Sequence, residues 1–390
     1  MLSPVYVAHE YLIRRPLGAF VTKAERDHWA DDVGEIFTFG PNGNNVIYPT
    51  ALFDWGLLPS VGVYYAGEDF LADDNTLRIH AATWGRPWIS ATLADHYAID
   101  KSNTIQARLD FRRGEDNIYF GIGPDVTSAT QSRFGLEKLE ASLSYHAKIP
   151  GRESRLQFWG GVHRLTPVAG TCCSDPSVHE RINMGELMEP PGFTETYTTA
   201  FAAMDMMLDS RAPRPSTGSG AFLHLWGQPN FDLSQDSAWI QYGGAVGGAV
   251  DLTGKQRVLK MQLAVSMLDQ VRGTAPVPFT EYLIFDGDMM AGFVPGWMRG
   301  QSTAAAQVAF TWPVWIGFDG QTRFTLGNAF GEHLAGLGPS KTRWSWDIGL
   351  TTNTHRDQAF EVLFGLGSET FEQGADITSV RVTIGSRQGF

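Results

Sequence analysis

No apolar run in the 390 residues reaches the roughly eighteen that a membrane-spanning helix needs, which excludes a helical integral membrane protein. Cysteine is almost missing. The only two, Cys172 and Cys173, are adjacent and close no useful loop, so a structural disulfide framework is excluded. A vicinal disulfide or two thiols both remain open for the pair, which is expected to pin the long loop that carries it. Charged residues are sparse at 18%, with a formal net charge of −12 and no concentrated basic stretch, so nucleic acid is excluded as the main partner. Catalytic motifs are lacking too. Gly336-Leu-Gly-Pro-Ser-Lys-Thr342 has the wrong spacing for a phosphate loop, and there is no Gly-x-Ser-x-Gly elbow. His9-Glu10 and His179-Glu180 lack the second histidine of a zinc helix. Neither an enzyme nor a cofactor nor a metal site is expected. No cationic, apolar leader precedes Met1-Leu-Ser-Pro, so the signal peptide that export requires is expected to have been removed or replaced.

What is abundant is glycine and aromatic residues: 43 Gly, 24 Phe, 12 Trp and 11 Tyr. That balance fits aromatic-girdled strands joined by glycine-containing turns. Apolar and polar residues alternate with period two along much of the chain. Ile105, Ala107, Leu109 and Phe111 interleave with Gln106, Arg108, Asp110 and Arg112. Leu259, Met261, Leu263, Val265 and Met267 interleave with Lys260, Gln262, Ala264 and Ser266, and Trp344, Trp346, Ile348 and Leu350 with Ser345, Asp347 and Gly349. The last eleven residues do the same, with Val380, Val382 and Ile384 on one face, Arg381 and Thr383 on the other, and an aromatic end at Phe390. Each segment has one face for lipid and one for a wet lumen. Because lipid offers no partner to an unpaired amide, a sheet that spans it must close on itself.

Sixteen strands are expected, near 46–54, 58–67, 75–84, 87–99, 103–113, 132–148, 153–165, 196–209, 219–233, 236–251, 255–271, 302–315, 321–331, 341–355, 357–368 and 376–386. Short turns at Pro150-Gly151-Arg152, Thr253-Gly254, Asp319-Gly320 and His355-Arg356 alternate with long links at 114–131, 166–195 and 272–301. This sorting by side suits a membrane barrel and not a two-sheet sandwich, although the long Pro/Ser/Gly link at 209–219 falls on the short side. No repeat of a solenoid or propeller is visible. The reading is an all-β, 16-stranded antiparallel transmembrane barrel over 46–390. It is preceded at 1–45 by a helical segment after Pro16, with Leu17, Phe20, Val21 and Ala24 on one side, acting as a plug or brace. Scattered His80, His146 and His163 are expected to face water in the lumen.

Three segments carry a family likeness. Asn117-Ile-Tyr-Phe-Gly-Ile-Gly-Pro-Asp125 resembles an aromatic-Gly-x-Gly-Asn/Asp loop. Phe285-Asp-Gly-Asp-Met-Met-Ala-Gly-Phe293, with Trp297-Met-Arg-Gly-Gln301 and the strand Ala309-Phe-Thr-Trp-Pro-Val-Trp315, resembles an inward-folded sixth loop and the strand after it. The closing strand to Phe390 is similar to a terminal recognition signal. In this order and spacing the chain resembles the bacterial surface-antigen superfamily of outer-membrane assembly barrels, the BamA/TamA type. The resemblance implies a constriction-loop motif of Gly287, Met290, Ala291, Gly292, Phe293, Trp297 and Arg299, with loop partners at Ala309 and Asn328. Ala291 stands where the family carries a loop arginine, and Ala309 and Asn328 stand where it carries acids, so both ends of the charged lock are gone together. An arginine without its acid would be a costly buried charge. Either Arg299 takes over from another angle, or packing of Met290, Phe293 and Trp297 holds the loop. Family members usually add periplasmic receptor domains, for which 45 leading residues are too few, so a reduced member or a trimmed one is expected.

The resemblance places function at the seam between first and last strands. Pro49 removes a donor from the first strand, and the last strand is short before Ser386, so this seam is expected to be poorly paired, with Val382, Ile384 and Phe390 as its other side. The implied activity is insertion or translocation of a polypeptide through a lateral gate. The alternative is a passive pore or a structural barrel that scaffolds a partner lipoprotein. Expected partners are outer-membrane lipids, a polypeptide client and envelope proteins, in a Gram-negative type outer membrane.

Overall fold

A computed structural model describes residues 23, 26, 36–40, 43–150, 153–170, 172–211, 218–285, 289–315, 318–352 and 358–388. The helix expected after Pro16 falls almost entirely outside these residues, as do Gly287 and Phe390.

Sixteen antiparallel strands form one closed sheet. They are β1 (Asn45–Asp54), β2 (Ser60–Glu68), β3 (Asn75–Thr83), β4 (Trp88–Ala98), β5 (Asn103–Tyr119), β6 (Ser132–Lys148), β7 (Arg155–Val168) and β8 (Tyr197–Asp209). There follow β9 (Gly220–Asp232), β10 (Ser237–Asp251), β11 (Val258–Arg272), β12 (Ser302–Trp315), β13 (Phe318–Phe330), β14 (Arg343–Thr352), β15 (Gln358–Ser368) and β16 (Ile377–Gln388). Each pairs with its neighbours in sequence, and β16 returns to β1 to close the ring.

The alternation seen in the sequence sets which face is which. Leu139, Leu143, Met261, Leu263, Val380 and Ile384 are exposed on the outside, whereas Gln106, Gln307, Ser345, Arg381 and Thr383 are buried inside. A single-residue slip would exchange the two sets, so the apolar band fixes register. Polar side chains, from β1 to β7 in particular, line a lumen cavity of about 810 Å³ that includes Thr50, Asp54, Arg108, Asp110, Glu140 and Arg381.

Most boundaries shift by up to three residues, and two of the differences have a visible cause. β5 does not stop near 113 but runs to Tyr119 across an irregularity between Gly114 and Asn117, because a bulge absorbs the break and lets pairing with β6 resume. The turn expected at Asp319-Gly320 is instead part of β13. Asp319 pairs with Pro313 and Gly320 with Trp312, and a Cβ on Gly320 would lie 2.3 Å from the Trp312 indole, so this glycine makes room for a ring and not for a turn.

At the long-loop end the loops form a dome. Loop 169–196 contains a short helix, α1 (Val178–Asn183), opened by a capping box between Ser177 and Glu180. Cys172 and Cys173 in this loop are joined as a disulfide. Val178 packs with Tyr119, Phe134 and Phe279 over the barrel mouth. Buried Arg133 ties the pieces together, donating to Asp175 Oδ2, the Asp116 carbonyl and the Gly56 carbonyl, each at 2.8 Å.

Candidate functional site at the constriction loop and seam

Loop 273–301 folds into the lumen. Met290, Phe293, Trp297 and Met298 are all at most 3% exposed and share one apolar cluster with Ile118, Phe120 and Phe285. Trp297 stacks on Phe120 with ring centroids 4.0 Å apart and meets Phe293 edge-on at 5.4 Å. Complete burial of such a side chain stabilises by about 1.5–3 kcal/mol, against about 1 kcal/mol for a typical hydrogen bond, so packing supplies most of the hold.

Hydrogen bonds then set where the loop sits. Its tip meets β11, β12 and β13 through neutral groups. Gln307 Nε2 donates to the Met289 carbonyl at 2.9 Å, Thr325 Oγ1 donates to the same carbonyl at 2.6 Å, and Gln262 joins Gln307 at 2.9 Å. Ala309 is buried one inward position below Gln307 on β12. Asn328 turns away from the tip and donates to the carbonyls of Pro124 (3.1 Å) and Lys341 (2.6 Å), holding the dome. Arg299 likewise serves the outer part of the loop: it donates to the Phe279 carbonyl at 2.7 Å and lies 5.2 Å from that ring's centroid. Ala291 is 1% exposed and contributes no charge.

The other side of the loop lies flat on β14, β15 and β16. Gly292 has no side chain because none fits: a Cβ would sit 2.0 Å from the Leu366 carbonyl oxygen. The Gly292 N–H donates to Ser345 Oγ at 2.9 Å, and Ser379 Oγ donates to the Gly292 carbonyl at 2.7 Å. Next to it, Arg381 Nη1 donates to the Phe293 carbonyl at 3.0 Å.

The same arginine crosses the seam. Arg381 Nε donates to Asp54 Oδ1 at 2.8 Å and Nη2 to Oδ2, a two-pronged ion pair in which both residues are at most 6% exposed. Thr383 Oγ1 adds a donor to Asp54 at 3.3 Å. Around this pair the strand ladder is thin. Among the described residues, β16 meets β1 through Thr383↔Asp54, Ile384↔Phe53 and Gly385↔Leu52, with one more bond from the Trp55 N–H to the Val382 carbonyl at 2.9 Å. By contrast, β15 and β16 run eleven residue pairs together and β1 and β2 run eight.

Three local features limit the seam. Since Trp55 points its N–H at β16, alternation gives Phe53, Ala51 and Pro49 the same direction, and Pro49 has no N–H to offer. Gly385 has a φ of 146° and comes so close to β1 that a Cβ would be 2.4 Å from the Ala51 carbonyl. Lower down, Thr38–Phe39 folds back as a hairpin onto Val46 and Asn45, on the edge of β1 that faces the seam.

Dome electrostatics reinforce closure above the loop. Burial pushes the Glu369 carboxyl up, but the Ser128 N–H and the Arg343 guanidinium outweigh it and hold the group below its usual value. Lys341, bridging Asp125 and Glu372, is held above the usual lysine value by its hydrogen bonds to those two carboxylates. Of the three histidines, His163 does not face open water: it is sealed under loop 273–301 with Nε2 2.9 Å from Glu281 Oε1. His80 is buried against Thr50 at 2.9 Å, and His146 sits beside Ser144 at 2.9 Å. Asp269, Glu332 and His333 on the outer rim bring ligand atoms within 4.8 Å of one another, as exposed acidic groups commonly do without an ion.

The sequence reading did not single out Asp54, Arg381, Ser379, Ser345, Gln307 or Thr325 as site residues. A usable signal existed for two of them: Arg381 and Asp54 are opposite charges at inward positions on the two strands that must meet.

No family model and no curated protein matches the chain. Solved structures do. Residues of this chain align over 88% of its length with the crystal structure of BamA from Haemophilus ducreyi lacking POTRA domains 1–3, at TM-score 0.62 and 11% identity. The barrel is BamA-like. CdiB from Acinetobacter baumannii (TM-score 0.51, 8% identity) and CdiB from Escherichia coli (0.52, 8%) each align with 89% of the chain. The chain spans 70% of that BamA structure and 60% and 64% of the two CdiB structures. At these identities the likeness is one of fold. In this ring the loop tip is held by neutral amide and hydroxyl groups, and the seam by one arginine from the closing strand.

Proposed function

We propose that the protein is an outer-membrane barrel that inserts or exports a polypeptide client through a lateral gate between β1 and β16. The observation that carries this reading is the three-pair seam, set in a sheet whose neighbouring joints are eight and eleven pairs long. Above the stretch that Thr38–Phe39 covers, the missing ladder bonds leave edge groups of β1 for a strand from another chain. The resemblance to assembly barrels and the BamA-like ring support the same assignment, as does the apolar outer band that a bilayer requires. The seated loop and the dome fill the lumen above the cavity, which favours a sideways route over a straight pore.

Phe53 and Ile384 are register partners on the lipid face and offer a test that leaves the lumen intact. A Phe53→Cys/Ile384→Cys pair, oxidised in the membrane, is expected to stop client assembly and to restore it on reduction. Client assembly that continues at the wild-type rate with the seam cross-linked would refute a lateral gate.

A further inference from the structure

Among the described residues, Arg381 holds both the constriction loop and the seam, and its guanidinium serves the two tasks at once through different N–H groups. Two prongs go to Asp54 on β1, and Nη1 goes to the Phe293 carbonyl at 3.0 Å. The guanidinium is 1% exposed. The Phe293 carbonyl holds the guanidinium where its two prongs meet Asp54, and the seated loop covers it; if the loop withdrew, Arg381 would lose that support and be freed to turn into the lumen cavity that the pair borders, while if β1 withdrew, the guanidinium would lose its two-pronged carboxylate. Each event lowers the cost of the other.

We propose that Arg381 is a positioning residue that couples the two: with the loop seated the seam is latched, and unseating the loop releases it. This rests on the gate reading for its role in function, but the coupling itself is a property of the barrel and is measured without a client. By linkage the effect is reciprocal, so opening the seam also loosens the loop. Ser379, two residues earlier on the inward face of β16, grips the Gly292 carbonyl and makes the closing strand the common support.

The test is a double-mutant cycle read by disulfide formation in the Phe53→Cys/Ile384→Cys barrel. Gly292→Val, which cannot lie flat on Leu366, unseats the loop from a distance. With Arg381 present, it is expected to slow cross-linking at least threefold. Arg381→Gln is expected to slow it by itself, with Gly292→Val adding less than 1.5-fold on top, and Arg381→Lys is expected to lie between. Asp54→Asn provides a second route to the same unlatching with little change of shape. Heat-modifiability on gels selects barrels that have closed. Equal, multiplicative effects of Gly292→Val in both backgrounds, or no effect in either, would overturn the coupling while leaving the gate reading to its own test. A cross-linked seam that leaves client assembly untouched would remove the gate and leave the coupling.

Discussion

Gly292 and Gln307 show how single residues seat the loop without charge. Gly292→Val is expected to destabilise the seated loop by about 1–3 kcal/mol, because overpacking against a strand backbone cannot be relieved by a rotamer change. Limited proteolysis within 286–298 should become faster while the sixteen-strand signal in circular dichroism stays. Gln307→Ala removes one of two donors to the Met289 carbonyl. The expected cost is about 1 kcal/mol, seen as a lower midpoint of thermal unfolding in detergent, and Thr325→Val should add to it. If Ala309→Ser or Asn328→Ala moved the loop tip more than Gln307→Ala, the assignment of the neutral lock would be wrong. The resemblance pointed to Ala309 and Asn328 as loop partners, but the tip meets Gln307 and Thr325, because only the inclination of the loop decides which inward side chain lies opposite it.

The elements above the barrel depend on caps and ion pairs. The pattern Ser177-Val-His-Glu180 is a helix-start signature in the sequence, although its His-Glu pair drew attention for metal chemistry alone. Ser177→Ala should loosen α1 by about 1 kcal/mol, raising amide exchange over Val178–Asn183 with the barrel unchanged. The dome also has a pH dependence. Glu369 titrates below its ordinary value in the folded protein, so its contribution is present above that ordinary value and is lost as pH falls through the depressed one. Exchange at Ser128 and its neighbours is therefore expected to accelerate under acid, and Glu369→Gln should abolish that change. β5 and β13 illustrate limits of reading at this scale: a bulge and an aromatic–glycine pair extend strands through residues that look like breakers.

For the molecule as a whole, the ring assigns opposite chemistry to neighbouring residues. Leu143 faces lipid and Ser142 lines the lumen cavity. Leu143→Arg is expected to cost up to about 2–4 kcal/mol, depending on its depth in the bilayer, and Ser142→Arg far less, as measured by reversible unfolding from vesicles. Similar values for both would contradict the side assignment. The filled lumen leads to a further expectation: low conductance in planar bilayers, rising when 286–298 are deleted. A large, steady conductance in the intact chain would instead favour a passive pore.

Period-two alternation, aromatic content and the absence of long apolar runs were enough to determine the strand number, the lipid face and the closed ring, since each is a local pattern repeated along the chain. Pro49 likewise marked an edge with a missing donor, whereas the last strand, expected to be short before Ser386, runs to Gln388 and pairs with β15 throughout, so the thin joint comes from its stagger against β1. What only the tertiary structure decided is which residues, far apart in sequence, meet: Asp54 with Arg381, Arg381 with the Phe293 carbonyl, Gln307 with Met289. Those contacts depend on how β16 staggers against β1 and how deep the loop sinks. Both follow from closing the whole barrel, and no local stretch of sequence encodes them.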